Sequence, residues 1–179
     1  MWHWPLQNQI PLFPDEPGTF GVARKFEHHT GIDLYADRGT EVVAVEAGIV
    51  VLIEIFTGPL APDPSPWWNN TQAVLIEGAS GVVTYGEVTA LVEIGQVVKA
   101  GEVVGVIEEP VLRRFKGRPM AMLHLELSVT GTRNTFWGWT APPKPQPKDL
   151  LDPTPKLREA AGPNAEQFDL ATYDGKRFR

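Results

Sequence analysis

The chain has 179 residues and a formal net charge of −6 at pH 7, from 16 basic and 22 acidic side chains. This length fits one domain with an appended segment. An acidic chain argues against nucleic acid as the main partner, because phosphate contacts need a basic face. The absence of cysteine excludes disulfides, thiolate catalysis and cysteine-ligated metal.

The N-terminal residues carry no targeting signal that we recognise. Residues 1–7 have no basic n-region and no apolar h-region, so they do not predict a secretory signal. No apolar run approaches the roughly 18 residues that a membrane span requires. The sequence therefore predicts no membrane span and leaves the localisation open: the chain is cytoplasmic at synthesis, and a cell wall or a phage particle is a compatible destination.

Short β-branched segments separated by glycine turns run from about residue 39 to 130. The predicted strands lie at 41–45, 48–53, 72–77, 82–88, 95–107 (in pieces) and 122–129. Segments 72–77 and 82–88 are predicted to form a β-hairpin. The pattern predicts an all-β fold, a compact core of short, mainly antiparallel strands with irregular N- and C-terminal arms.

We expect three regions along the chain: an N-terminal lead-in at 1–24, a β domain at 25–155 and a C-terminal arm at 156–179. A short helix is predicted within 148–161, and the segment from about 141 to 179 is expected to pack little core of its own, because it is rich in proline and poor in aliphatic residues. The last part of the chain is predicted to be either an arm that wraps the body or meets a partner, or a frayed tail. The loop at 57–70 contains the pair Trp67 and Trp68, which is either a ligand platform or a pair of rings laid over a core edge.

The last predicted strand separates apolar from chemically active side chains. Because side chains alternate between faces, the three leucines at 123, 125 and 127 fill a core face, whereas Met122, His124 and Glu126 occupy the other. Earlier in the chain, His29 and Asp33 lie four residues apart. Two imidazoles and one carboxylate form an open zinc set with room for water. Spacing alone does not bring residues 29 and 124 together.

Six segments resemble the lysostaphin/LytM-type zinc metallopeptidases of peptidoglycan, which have a duplicated hybrid motif fold. In chain order they are HTGIDL at 29–34, GTEVVAVEAGIV at 39–50, VTYGE at 83–87, VEIGQVVKAGEVVG at 92–105, MLHLEL at 122–127 and LDP at 151–153. The resemblance covers about residues 25–155. It implies that zinc is the cofactor, with His29, Asp33 and His124 as ligands, and it places Tyr85, Met122 and Glu126 in substrate-binding or ligand-supporting positions.

Two positions depart from that family. Met122 and Glu87 stand where the family has the two histidines that flank the reacting water. Alternation along the strand places Tyr85 and Glu87 on one face, so Glu87 is predicted to face the site. A glutamate there acts either as a general base or as a fourth ligand that closes the site. The thioether of Met122 is a poor zinc ligand and cannot donate a hydrogen bond.

The sequence supports two functions and leaves enzyme activity open. The first is a zinc metalloendopeptidase that cleaves peptidoglycan peptide bridges with Glu87 as catalytic base. The second is a non-catalytic, metal-binding structural or binding module of a cell envelope or phage particle, with a protein partner. The two replaced histidines favour weak or absent peptidase activity. A swinging-arm carrier is disfavoured, because Lys99 lacks the Met-Lys-Met signature of biotin carriers.

Overall fold

The computed structural model describes residues 1–6, 18–108, 121–135, 138–140 and 145–162. In these ranges the chain forms nine strands and one helix. The strands are β1 (Ile32–Tyr35), β2 (Glu41–Val43), β3 (Gly48–Thr57), β4 (Thr71–Gly78), β5 (Gly81–Ala90), β6 (Val97–Val98), β7 (Val103–Val106), β8 (Met122–Ser128) and β9 (Leu150–Leu151), and the helix is α1 (Thr154–Ala161). The short strands follow the β-branched runs between glycine turns.

The strands form a mostly antiparallel sheet, which confirms the predicted all-β fold. The main sheet has the order β1-β8-β5-β4-β3-β6, β9 pairs with β8, and β7 joins β2 to β5. The predicted hairpin is β4-β5, with Gly78 opposite Gly81 at its turn. The order places β1 and β8 side by side although about 90 residues separate them in sequence, and these two strands carry most of the candidate site.

The two faces of the main sheet are packed differently. One face holds the main hydrophobic core, to which β8 contributes Leu123, Leu125 and Leu127, as the sequence predicts. The other face carries a smaller apolar cluster around Leu75, against which Phe56 packs. The candidate ligands lie on this second face, because Asp33 and His124 alternate with core residues along β1 and β8.

Both ends of the described chain contribute to the main core. Trp2 and Leu6 are buried in it, and the indole Nε1 of Trp2 donates a hydrogen bond to Ser80 Oγ at 2.9 Å. The predicted short helix is present as α1, and its Leu157 and Ala161 are buried in the same core. The C-terminal segment is expected to pack little core of its own, and α1 instead places two apolar side chains one turn apart against the main core.

Some sequence predictions fall outside the described residues. Most of the C-terminal arm, residues 163–179, lies there, as do residues 141–144 of the proline-rich segment. The division into 1–24, 25–155 and 156–179 stays a prediction. No helix within the described ranges is long and apolar enough to cross a membrane.

Candidate metal centre and its cavity

Strand pairing brings the three predicted ligands together. Asp33 on β1 is the register partner of His124 on β8, so their side chains lie next to each other on the face opposite the main core. His29 lies in the segment that leads into β1. All three side chains are buried. The prediction that these residues lie close together is therefore confirmed.

Gly31 allows the chain to pass close over β8 between His29 and Asp33. A Cβ at this position would lie 2.5 Å from the backbone oxygen of Leu125 and 2.8 Å from Nε2 of His124. Both distances are shorter than any real Cβ contact, and the first involves backbone that cannot rotate away. A side chain at position 31 would therefore push β1 off β8 and separate the ligands.

Three ligand atoms converge on one point. Nε2 of His29 lies 3.0 Å from Oδ1 of Asp33, Nδ1 of His124 lies 2.9 Å from the same oxygen, and the two nitrogens are 3.1 Å apart. A tetrahedral zinc ion bound at about 2.0–2.1 Å separates its ligand atoms by about 3.3 Å. The observed triangle is close to that size, so these side chains could hold a metal ion.

The other polar atom of each ligand is held by a different partner. Nδ1 of His29 donates to the backbone oxygen of Thr19 at 2.9 Å. Nε2 of His124 donates to Oε1 of Glu126 at 3.0 Å, and Oδ2 of Asp33 accepts from Arg24 at 3.0 Å. These bonds fix the tautomers so that the lone pairs of both imidazoles point at the shared centre, which is the arrangement that a metal site needs.

The pKa shifts of His29, Asp33 and His124, called the triad below, agree with a cation-binding centre. Burial would raise the pKa of Asp33, but the charges and hydrogen bonds of His29 and His124 overcome it and hold that pKa far below its usual range. Burial would lower the pKa of His124, and hydrogen bonds to Asp33 and Glu126 instead raise it to about 10. Burial lowers the pKa of His29. In the metal-free protein, protonated His124 can therefore donate hydrogen bonds to both Asp33 and Glu126. A metal ion that binds Nδ1 of His124 would displace the proton on that nitrogen.

Glu87 enters the site through a β-bulge. Gln72 of β4 pairs with Val88 and Ala73 pairs with Gly86, so Glu87 is the extra residue on β5. It has φ 66°, and it is the only residue other than glycine with a positive φ among those described. Such a backbone is uncommon for a residue with a side chain and is found at functional sites. The bulge turns Glu87 towards the ligand face.

The carboxyl group of Glu87 is buried without a hydrogen-bond partner at Oε2, and its side chain lines the same cavity as the triad. Burial, followed by repulsion from Asp33, raises its pKa to about 8. No oxygen of Glu87 belongs to the group of converging ligand atoms. Glu87 therefore lines the cavity beside the three candidate ligands without being one of them.

Tyr85 lies in the main core and does not line the cavity. Tyr85 pairs with Leu125 and is buried in the main core, where its hydroxyl oxygen accepts the N–H of Val45 at 2.8 Å. Burial raises the pKa of its hydroxyl further above the usual range. Strand alternation would have kept Tyr85 and Glu87 on one face, but the bulge at Glu87 breaks the alternation and only Glu87 reaches the site.

The other two predicted positions lie on the ligand face of β8. Glu126 is fully buried and accepts hydrogen bonds from Thr30 and His124, so it supports a ligand. Met122 is also buried, opposite Tyr35, but it does not line the cavity. The structure thus supports a positioning role for Glu126 and gives no contact that would assign a role to Met122.

A cavity of about 420 Å³ opens over the triad. Phe56 lies beside the centre, with its ring 5.3 Å from that of His124, and it fits there because Gly86 has no side chain. One wall contains His28, which stacks on Trp139 at 4.7 Å. The 57–70 loop also contributes to the lining, and Trp68 is among its residues there.

Sequence reasoning missed Arg24 and Thr19, which hold Asp33 and His29. Both lie in residues 1–24, the predicted N-terminal lead-in. Arg24 is nine residues from its partner, a spacing that no regular element enforces, and the contact of Thr19 uses only its backbone oxygen. Neither contact leaves a signal in residue type or periodicity.

Comparison with known proteins agrees with this geometry. The sequence profile of Peptidase family M23 matches residues 27–135, which include all three ligands and Glu87. No curated protein sequence is detectably similar to the chain.

Similar folds are found in solved structures. CbpA from L. salivarius REN is 20% identical with a TM-score of 0.57, and the match covers 90% of this chain and 97% of that one. A catalytic-domain mutant of the prophage-encoded M23 protein EnpA from Enterococcus faecalis is 20% identical with a TM-score of 0.54, over 84% and 95% of the two chains. The antimicrobial peptidase lysostaphin from Staphylococcus simulans is 20% identical with a TM-score of 0.53, over 85% and 51%. At this identity the likeness establishes a shared fold, and the profile match over more than half of the sequence establishes the family: the chain belongs to peptidase family M23.

Proposed function

We propose that this chain is a zinc-dependent peptidase that cleaves peptide bonds of peptidoglycan, with Glu87 as its general base. The observation that carries the proposal is the buried, unpartnered carboxyl of Glu87, which lines the cavity beside the triad but outside ligand distance. Zinc held by His29, Asp33 and His124 would act as a Lewis acid with one open position. The peptidoglycan target rests on family membership and on the motif resemblance.

Glu87 has the properties of a proton acceptor for an attacking water molecule. In the metal-free protein its pKa is raised to about 8, so Glu87 acts as a base in the fraction of molecules in which its carboxyl has lost the proton. It would accept the proton of the water that attacks the substrate carbonyl and then pass it to the leaving amine. The bulge holds its backbone in one conformation, which limits the entropy lost in orienting the group.

The supporting residues keep the triad in its working geometry. Glu126 and the backbone of Thr19 orient the two imidazoles, and Arg24 fixes Asp33. No imidazole replaces the family histidine at Met122, so an electrostatic stabiliser of the tetrahedral intermediate is missing. We therefore propose slow turnover, and action on peptidoglycan peptides in a cell wall or a phage particle.

A second candidate function is a non-catalytic metal-binding module that binds a peptidoglycan peptide or a protein. The buried thioether of Met122, which can neither donate a hydrogen bond nor transfer a proton, favours this candidate. In that case the triad has a structural role, and Glu87 closes the site when metal is bound.

One experiment separates the two candidates. Purified protein is analysed for zinc and then incubated with peptidoglycan while soluble peptides are measured. The peptidase predicts release by the wild type, a loss of about 10²–10⁴-fold in Glu87→Gln with zinc retained, and faster release in Met122→His. Glu93→Gln, an exposed carboxylate outside the cavity, is the matched control. If wild type and Met122→His both bind stoichiometric zinc and neither releases soluble peptides, the result would establish the non-catalytic metal-binding module.

A further inference from the structure

We propose that the cavity selects peptides that carry a free primary amine beside the bond presented to the metal centre. The inference deepens the proposed peptidase function and rests on it. It starts from the charges of the described residues that line the cavity, which are unbalanced. Five of them are carboxyls, whereas one is a permanent cation; these are Glu27, Asp33, Asp63, Glu87 and Glu126, with Arg24.

The inner charges satisfy one another. Arg24 pairs with Asp33, and Glu126 accepts hydrogen bonds from Thr30 and His124. Five carboxylates and Arg24 together carry a net charge of about −4. A divalent zinc ion at His29, Asp33 and His124 would halve this net charge. The net charge stays negative even when Glu87 is protonated. The cavity as a whole therefore attracts a cationic ligand and disfavours an anionic one.

Two of the carboxylates are available to such a ligand. Glu27 and Asp63 are exposed, and neither side chain has an ion pair or hydrogen bond within the described part of the chain. Glu27 precedes the candidate ligands in sequence, and Asp63 belongs to the 57–70 loop, so two distant segments each contribute one of these carboxylates to the cavity lining. A primary ammonium offers three donors on a compact charge, so it can bind either carboxylate.

Aromatic rings accompany both carboxylates. Phe26, next to Glu27 in sequence, lines the cavity and is 72% exposed, and Trp68 of the 57–70 loop lines it as well. Ring faces attract ammonium groups. The ammonium of Lys25 already lies 4.8 Å from the centre of the Phe26 ring, so Trp68 is the ring that remains for a ligand. Trp67 is 68% exposed and does not line the cavity, so the platform interpretation applies to Trp68 alone.

One of the five carboxyls presents a buried polar atom to a ligand. Glu87 is 92% buried, its Oε2 atom has no partner, and its side chain lines the same space. A buried carboxyl without a partner costs stability unless a ligand supplies the missing hydrogen bond. The amine of the ligand would occupy the outer walls, and the scissile amide would lie between Glu87 and the triad.

The test is a binding measurement with matched peptides. Zinc-loaded wild type is titrated with a short peptide containing lysine and with the same peptide carrying Nε-acetyl-lysine, and mass spectrometry records whether each peptide is cleaved during the titration. We expect the lysine peptide to bind about tenfold more tightly at low salt and the preference to shrink as salt rises. The double variant Glu27→Gln, Asp63→Asn should lose most of the preference, whereas Glu93→Gln should keep it.

The outcomes distinguish this inference from the proposed function. Equal binding of the two peptides by the wild type would overturn the amine preference, even if both peptides were cleaved. A preference that survives in the double variant would overturn the assignment to Glu27 and Asp63. Tight, amine-dependent binding without any cleavage would support the inference while contradicting the peptidase function.

Discussion

The two faces of strand β8 are equally buried but are stabilised by different interactions. All seven residues of the strand are buried. Leu123, Leu125 and Leu127 pack in the main core, whereas His124 and Glu126 are held by hydrogen bonds and ion pairs. Burial therefore does not distinguish the site from the core; the partners of the buried atoms do. Substitutions on adjacent residues should separate metal binding from fold stability.

The largest expected effect is on the ligand face. His124→Ala should abolish metal binding, because two ligands do not hold zinc in place. Substituting a residue that hydrogen-bonds a metal ligand lowers metal affinity by roughly 10- to 100-fold, and removing the ligand itself should lower zinc affinity by more than that. Chelator competition measures it, with circular dichroism as a check of the fold. His28→Ala, next to the triad but stacked on Trp139, is the control and should keep its metal. Wild-type affinity in His124→Ala would refute the ligand assignment.

The neighbouring residue on the core face should show the opposite behaviour. Leu125→Ala removes a fully buried side chain and should lower the free energy of unfolding by about 2–5 kcal/mol, since the cavity left behind adds to the lost burial. Zinc bound per folded molecule should not change. Denaturant unfolding with a chelator present measures the first quantity. Val97→Ala, at an exposed position, should change stability by less than about 0.5 kcal/mol. A metal-free but stable Leu125→Ala protein would contradict the separation of the faces.

The bulge residue predicts a pH effect on the metal-free protein. Folded Glu87 keeps its proton up to about pH 8, whereas the unfolded chain releases it near 4.5. Between these values the folded state binds more protons, so stability falls as pH rises, by up to about 1.4 kcal/mol per unit. Glu87→Gln removes this loss. Denaturant unfolding with a chelator present should therefore show that the free energy of unfolding of Glu87→Gln, relative to wild type, increases from pH 5 to 8. A difference that stays constant over this range would contradict the raised pKa.

The smallest effect should come from the supporting carboxylate. Glu126→Gln keeps an oxygen that can accept a hydrogen bond from His124 but loses the charge, so zinc affinity should fall by about 10- to 100-fold without abolishing binding. Chelator competition at constant pH measures the change. Glu87→Gln is the comparison, because Glu87 lies outside ligand distance and its variant should keep wild-type affinity. Equal affinity of Glu126→Gln and wild type would show that Glu126 does not tune His124.

Much of the fold could be predicted because it depends on local patterns. β-Branched runs and glycine turns located most strands, and alternation along β8 assigned Leu125 to the core and His124 to the other face. The proximity of His29, Asp33 and His124 came from the motif resemblance, and the structure confirms it. The assignment of these residues as zinc ligands stays a prediction, as does the catalytic role of Glu87.

The errors in the sequence analysis arise where one strand pairs irregularly with another. Alternation placed Tyr85 with Glu87, but β5 carries one residue more than β4 at this point. The extra residue adopts a positive φ, a conformation that glutamate does not favour, so its residue type gave no warning. The contacts of Arg24 and Thr19 were missed for a related reason, since they depend on the path of the chain before β1.

The sequence by itself determined most of the strands, but not β1 (Ile32–Tyr35) or β9 (Leu150–Leu151). It also determined the acidic net charge, the absence of cysteine and the residue types of the candidate metal centre. These follow from side-chain periodicity and from the order of motifs, which are local properties of the chain. Only the tertiary structure decided that a bulge separates Glu87 from Tyr85, that Tyr85 belongs to the core and that Glu27 and Asp63 line one cavity. Those outcomes depend on register between strands and on the packing of distant segments, and the free energies that set them come from contacts that do not exist until the chain is folded.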